Sequence, residues 1–297
     1  MLGLVFGLVD LSRLKEVFLS IPLSTALIVI TGYAAGQLLS SYKWWLIARA
    51  GKVDAPWSSA LKAYFIGSYA NAFGLGLVGG DVLRALLLAG KAPSKAQAMA
   101  SVVADRAHGL AVLAIVGIVF AFCDGRNTIS SNFLLIALTL AAAIIFCWFF
   151  LPGLILRLLP DGSRLAGKLS EITHAFPRNP AQLCLITSIS IVFHLSQIWL
   201  HWVMVKGLEL NIPFVYLLSS VPFVNILGSL PVSWNGVGVR ENAYVLFLKP
   251  ELTYESALAF GAIWLLALTA TSALGGVIAL LSGNPHRNLP SSQSAEN

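Results

Sequence analysis

A handful of charged residues sit where this apolar chain offers them little water. Asp81 and Arg84 follow a run of four glycines, Gly74, Gly76, Gly79 and Gly80. Arg240 and Glu241 follow Gly236 and Gly238, and Asp105 and Arg106 stand near the start of a long apolar run. A guanidinium matches phosphate oxygens two at a time, and a helix start beside it adds backbone donors, so the first two groups have the chemistry of an anion site. Asp81 is a suitable N-cap for a helix beginning at Val82. Each arginine also has an acid within reach, Asp81 three residues before Arg84 and Glu241 beside Arg240. An ion pair is therefore the competing use, with the acids holding the arginines in place or passing protons. Asn71, Asn225, Ser233, Trp234 and Asn235 are the polar residues that could line the same cavity.

Other constellations do less. Gly74 to Gly79 spells G-x-G-x-x-G, but a dinucleotide site needs a strand before it, and both flanks here are apolar helix. Close packing of membrane helices is the ordinary use of such glycines. His194 and His201 share a helix face about 10 Å apart, too far for one metal ion, so packing or belt positions are expected of them. No nucleophile, carboxylate pair or metal cluster stands out, so the expectation is a protein that is not an enzyme and needs no cofactor.

The elements that must hold these residues are membrane helices. The chain has 297 residues, 57% hydrophobic and 11% charged, with mean hydropathy +0.81, against about a quarter charged in soluble domains. Convincing spans are Leu23–Ile47, Ala96–Phe122, Phe133–Leu151, Leu183–Val205 and Ser256–Leu281. Tyr42, Lys43, Trp44, Trp45, Arg49 and Lys52 read as a belt at the headgroup boundary. The net charge of +6 lies in a few loops and reports topology; nucleic acid is not an expected partner. Cys123, Cys147 and Cys184 have no spacing that suggests a disulfide framework or a zinc site. The start, Leu2 to Val9, lacks the basic region of a signal peptide and reads as the remnant of a helix or a short interfacial segment.

The two halves of the chain echo each other. Pro56 and Pro213 each head an apolar segment that ends in a glycine-rich bend followed by an arginine, and Trp44 and Trp45 fall opposite His201 and Trp202. If the segment after Pro56 crossed the membrane, Arg84, Lys91, Lys95, Arg157, Arg164, Lys168 and Arg178 would all lie outside. A re-entrant hairpin puts them inside with Arg49 and Lys52, as the positive-inside rule prefers. The halves are then inverted, with the loop of Glu251 and Glu255 outside and His286 and Arg287 inside. Two broken helices dipping from opposite faces are a transporter's signature.

GGDVLR at Gly79 to Arg84, VVADRAHGL at Val102 to Leu110 and PVSWNGVGVRE at Pro231 to Glu241 together resemble the lysylphosphatidylglycerol synthase transmembrane-region family, also called flippase-like. The resemblance covers Leu23 to Leu281. It places the family's GD-x-x-R on Gly80, Asp81 and Arg84, its DR on Asp105 and Arg106, and its G-x-G-x-R-E on Gly236, Gly238, Arg240 and Glu241. It implies a multi-pass protein of the cell inner membrane that moves an anionic or polyprenyl-linked lipid headgroup between leaflets. The alternative is a membrane accessory of a lipid-linked glycosyltransferase or other lipid-modifying enzyme that transports nothing. No synthase domain follows Leu281, so the chain is not expected to aminoacylate lipid.

The expected architecture is an all-α polytopic helix bundle with two inverted repeats, each containing a glycine-broken re-entrant hairpin. Its divisions are an N-terminal segment 1–22, a first repeat 23–122, a connecting helix and basic cytoplasmic loop 123–181, a second repeat 182–282 and a disordered tail 283–297. The expected site is Arg84, Arg240, Asp81, Glu241, Gly79, Gly80, Gly236, Gly238, Asp105, Arg106, Asn71 and Asn235.

Overall fold

A computed structural model describes residues 16, 19, 21–74, 76–125, 129–160, 163–173, 175–230, 232–249 and 251–282. The expectations for Leu2 to Val9, His286, Arg287 and the tail lie outside the described residues. Every regular element described is helical, so the chain is all-α and polytopic. In order they are α1 (Leu23–Ala50), α2 (Trp57–Phe73), α3 (Gly76–Ala89), α4 (Lys95–Cys123), α5 (Ser131–Phe149), α6 (Leu151–Leu158), α7 (Arg164–Thr173), α8 (Pro180–Gly207), α9 (Phe214–Gly228), a 3-10 turn (Trp234–Gly236), α10 (Val239–Leu248) and α11 (Tyr254–Leu281). Among the described residues five helices, α1, α4, α5, α8 and α11, are long and apolar enough to cross a membrane. They match the five expected spans to within three residues at each end.

Local chemistry sets where these helices begin. Pro22, Pro56 and Pro213 stand in extended conformation just before α1, α2 and α9, where a missing N–H costs nothing. Ser94 accepts from the Gln97 N–H, Thr253 from Ser256, and Asn179 from Ala181 and Gln182, each side chain satisfying donors that a helix start leaves open. The stretch between Arg157 and Pro180 holds the end of α6 and the short helix α7. Large apolar side chains such as Leu135, Leu138, Val192, Val277 and Leu280 point outward, as a lipid-facing surface allows.

At the centre α1 and α8 pack antiparallel. Glycines set their spacing: a Cβ at Gly207 would strike Thr25, one at Gly32 would strike Leu200, and one at Gly36 would strike Gln197. Both helices are 28 residues long and stand 157 positions apart in the chain, 23 to 180 and 50 to 207. The same bonds close their ends: Val53 N donates to Ala48 O at 3.0 Å and Leu210 N to Val205 O at 2.9 Å. Lys52 and Glu209, at matching places in those turns, both take positive φ, 58° and 53°. Around this pair α2 packs on α11, and α9 packs on α4.

Two helical hairpins, α2 with α3 and α9 with α10, complete the bundle. The first is closed at its base, where Asp54 N donates to Lys91 O at 2.8 Å and Lys91 Nζ to Ser59 Oγ at 3.1 Å. Its two arms therefore start and finish at the same end of the molecule. They lie so close that a Cβ at Gly80 would collide with the Gly67 carbonyl oxygen, and the Gly80 N–H donates to Asn71 Oδ1 at 2.8 Å. In the second hairpin Ser220 Oγ donates to Phe247 O at 3.2 Å.

Candidate functional site

The first hairpin's arginine is not a loose cation. Arg84 is 2% exposed. Its Nε donates to Asp81 Oδ1 at 3.0 Å, and Nη1 and Nη2 each reach Asp105 Oδ2 on α4 at 3.2 Å. The guanidinium also lies over the rings of Trp44 at 4.7 Å and Tyr64 at 5.1 Å. Lys43 on α1 pairs with the other oxygen of Asp105 at 3.0 Å. Arg106 grips Asp81 from the far side, Nε to Oδ2 at 2.8 Å and Nη2 to Oδ1 at 2.9 Å, with its side chain 50% exposed. Three cations thus share two carboxylates in one cluster that ties α1, α3 and α4 together.

Two expectations are corrected here. Helix α3 begins at Gly76, not Val82, so Asp81 lies in its second turn and caps nothing. The break in the chain falls at Gly74 to Gly76 because Gly76 takes φ +65°, whereas Gly79 and Gly80 continue the helix. Free N–H groups at Val82 to Arg84 are accordingly not part of any anion site. Lys43 and Trp44 are buried rather than standing in a headgroup belt. The reason is tertiary: α4 passes beside them, offering Asp105 to the ammonium and the Ser101 hydroxyl to the Trp44 indole N–H at 3.2 Å.

The second hairpin solves the same problem without an acid. Arg240, 8% exposed, donates from Nη1 to Asn225 Oδ1 at 2.7 Å and lies 5.7 Å from the centre of the Trp264 ring. Among the described residues no carboxylate ion-pairs with Arg240, and Glu241 is turned away. Its Oε2 accepts from Gly238 N at 2.6 Å, the glutamate half of a capping box at the start of α10. The competing ion pair of Arg240 with Glu241 is therefore absent among the described residues, because the glutamate satisfies a backbone donor that would otherwise be orphaned. Two glycines make the room: a Cβ at Gly228 would press on the Arg240 guanidinium at 2.8 Å, and one at Gly261 would strike the Glu241 carboxylate.

The two bends meet. Trp234 Nε1 donates to Ala72 O at 2.9 Å, and Asn235 Nδ2 to the same oxygen at 3.2 Å. Ala72 lies in the last turn of α2, where helix carbonyls lack intrahelical partners. Side chains from one hairpin thus complete the other. Asn71, Gly79 and Gly80 belong to the arms of the first hairpin, and Gly236 and Gly238 to the bend of the second.

The residues expected to form one site accordingly make two centres of different character. Asp81, Arg84, Asp105 and Arg106, with Lys43, form an ion-paired cluster; Arg240 keeps guanidinium N–H groups beyond the one bonded to Asn225. Sequence reasoning missed Lys43, Tyr64, Trp264, Gly228 and Gly261. Only Lys43, a charge inside a run otherwise able to span, left a signal that could have been followed.

No curated protein and no solved structure matches the chain. The description "Lysylphosphatidylglycerol synthase TM region" matches residues 1–276, taking in the N-terminal segment as well as both hairpins, and the chain belongs to that family.

Proposed function

We propose that this multi-pass membrane protein is a lipid translocase of the cell inner membrane. It would carry an anionic or polyprenyl-linked headgroup past the meeting point of its two hairpins, with the acyl or prenyl tails left in the bilayer. One observation carries the reading: Arg240 is buried beside that meeting point with no carboxylate among the described residues to neutralise it. A buried guanidinium without counter-charge is expensive in a membrane, and a phosphate would supply the charge together with acceptors for its free N–H groups. Membership of a family named for a membrane region of a lipid synthase supports a lipid as the cargo. The matching end bonds of α1 and α8, and the antiparallel packing of those two helices, support reading the halves as inverted repeats that alternate access to the two faces. The protein itself changes no covalent bond in this scheme; a lipid-modifying enzyme or glycosyltransferase makes or consumes the lipid it moves.

The test is headgroup movement in proteoliposomes, read by quenching of a fluorescent phosphatidylglycerol from outside. Wild type should exchange it faster than protein-free vesicles, and Arg240→Gln should slow exchange about tenfold or more, the worth of one charge-assisted contact. A folded Arg240→Gln protein exchanging at the wild-type rate would remove Arg240 from the site.

A further inference from the structure

Between the last turns of α1 and the first turns of α8 lies a cavity of about 290 Å³. Leu46 of α1 and Leu185 and Ile186 of α8 wall it, with Pro177, Arg49 and Gln182 completing the lining. Ile186 and Pro177 are buried, whereas Arg49, Gln182 and Leu185 are exposed, so the cavity opens outward as a groove with a polar mouth. Its back is firmly built: Trp148 Nε1 donates to Pro177 O at 3.0 Å, and Ile186 packs with Ile47, Ala104 and Trp148. That volume lies at the lower limit of small-molecule pockets, enough for one headgroup and too little for a pair of acyl chains.

Neighbouring aromatic rings set the depth of the groove. Tyr42 and Trp45 of α1 lie 5.3 Å apart, Trp57 of α2 meets Tyr42 edge-on at 5.7 Å, and Trp45 Nε1 donates to Ala55 O at 2.9 Å. Rings with an apolar body and a bonded polar edge belong at the headgroup level of a bilayer. Arg49, one turn beyond Trp45, lies over that indole at 5.1 Å. The contact uses the face of the guanidinium and leaves its N–H edges free. Among the described residues neither Arg49 nor the Gln182 side-chain amide has an ion-pair or hydrogen-bond partner. The backbone at the start of α8 is already satisfied, since Asn179 Oδ1 accepts from Ala181 N at 2.9 Å and Gln182 N at 3.4 Å. The donors at the mouth are therefore the two side chains.

We propose that this groove binds one anionic phospholipid, at a site separate from the Arg240 centre. The lipid phosphate accepts from the Arg49 guanidinium and the Gln182 amide, while the first carbons of the tails lie along Leu46 and Leu185 and the rest stays in the bilayer. A free phosphate would meet the same donors but leave those apolar walls uncovered, so the lining favours a lipid. Lys52 and Arg178, close in sequence to Arg49 and Pro177 and both exposed, add positive charge that prefers an anionic to a zwitterionic headgroup. Seated there, the lipid bridges α1 and α8, the helices at matching places in the two halves. The Arg240 centre lies far off: Trp264 packs on Tyr33 of α1 at 5.4 Å, and from Tyr33 to Arg49 the helix rises about 24 Å. The site does not rest on the translocase reading.

The test is native mass spectrometry of the full chain in detergent, titrated with phosphatidylglycerol or phosphatidylcholine. An Arg240→Gln background keeps lipid at that centre from contributing. Phosphatidylglycerol should form a saturable one-lipid adduct about tenfold tighter than phosphatidylcholine. Arg49→Gln should weaken that adduct about tenfold, the worth of one charge-assisted hydrogen bond, and leave phosphatidylcholine unchanged. Leu185→Trp, which fills the groove from its exposed side, should weaken it without touching a charge, and Lys95→Gln, an exposed cation outside the groove, should not. Melting temperatures without lipid should be the same in the parent and both groove variants, with phosphatidylglycerol raising only that of the parent. Equal affinity for the two lipids, or undiminished phosphatidylglycerol binding in either groove variant, overturns the site. Inorganic phosphate raising the melting temperature as far as the lipid does overturns the lipid assignment. With Arg240 already replaced, each outcome stands whatever becomes of the translocase reading.

Discussion

Arg84 and Arg240 stand on the returning arms of the two hairpins and are held by opposite means. Arg84 has two carboxylates, Asp81 and Asp105, whereas Arg240 has an amide oxygen and an aromatic face. Their replacements should separate accordingly. Arg84→Met leaves Asp105 Oδ2 without a donor, although Lys43 and Arg106 still hold the two acids, and for a charged acceptor that should cost about 3 kcal/mol. Arg240→Met removes an unpaired buried charge and leaves only the Asn225 oxygen without a donor, about 1–3 kcal/mol, offset by the desolvation it relieves. Melting temperatures in detergent should therefore rank wild type and Arg240→Met together, well above Arg84→Met.

Asp105 is the hub of the cluster, holding Lys43 through one oxygen and Arg84 through the other. Asp105→Asn leaves two buried cations facing each other, while Lys43→Met leaves Asp105 with Arg84 still in place. The first should be the more damaging, and adding Lys43→Met to Asp105→Asn should recover part of the loss, with a coupling above about 1 kcal/mol. Additive effects in that cycle would contradict the ion pair.

Packing between the arms of the first hairpin gives a sharper contrast. Gly80→Ala sets a methyl against the Gly67 carbonyl oxygen and should destabilise by about 1–3 kcal/mol. Gly90→Ala, with nothing within 4 Å of the new atom, should be nearly silent. Thermal unfolding of the two variants side by side checks this.

Lys91 and Lys249 end the two hairpins and are both exposed. With Cys123, Cys147 and Cys184 replaced by serine, single cysteines at 91 and 249 should react with an impermeant maleimide from opposite faces of sealed vesicles. Reaction from one common face would end the inverted arrangement and the alternating access built on it.

Much of this architecture is written in local pattern. The five spans follow from runs of apolar residues, the hairpin starts from Pro56 and Pro213, and the bends from clustered glycines. Partnership is another matter, because it is decided by which helix passes beside which. Asp105 and Arg84 are 21 residues apart, and no spacing rule joins them. Lys43 follows Tyr42 and precedes two tryptophans, so it reads as a belt cation until α4 is laid against it. The same limit misplaced the start of α3: Asp81 has the chemistry of a cap, but Arg84 and Arg106 claim its carboxylate.

Gly228 and Gly261 are the empty places into which Arg240 and Glu241 fit. A single added methyl at either position would push a charged group from its seat while leaving every charged residue in the sequence unchanged. In a genetic screen, alanine at either glycine should therefore be mistaken for loss of the arginine or the glutamate itself, and a search for functional positions confined to polar residues would overlook both.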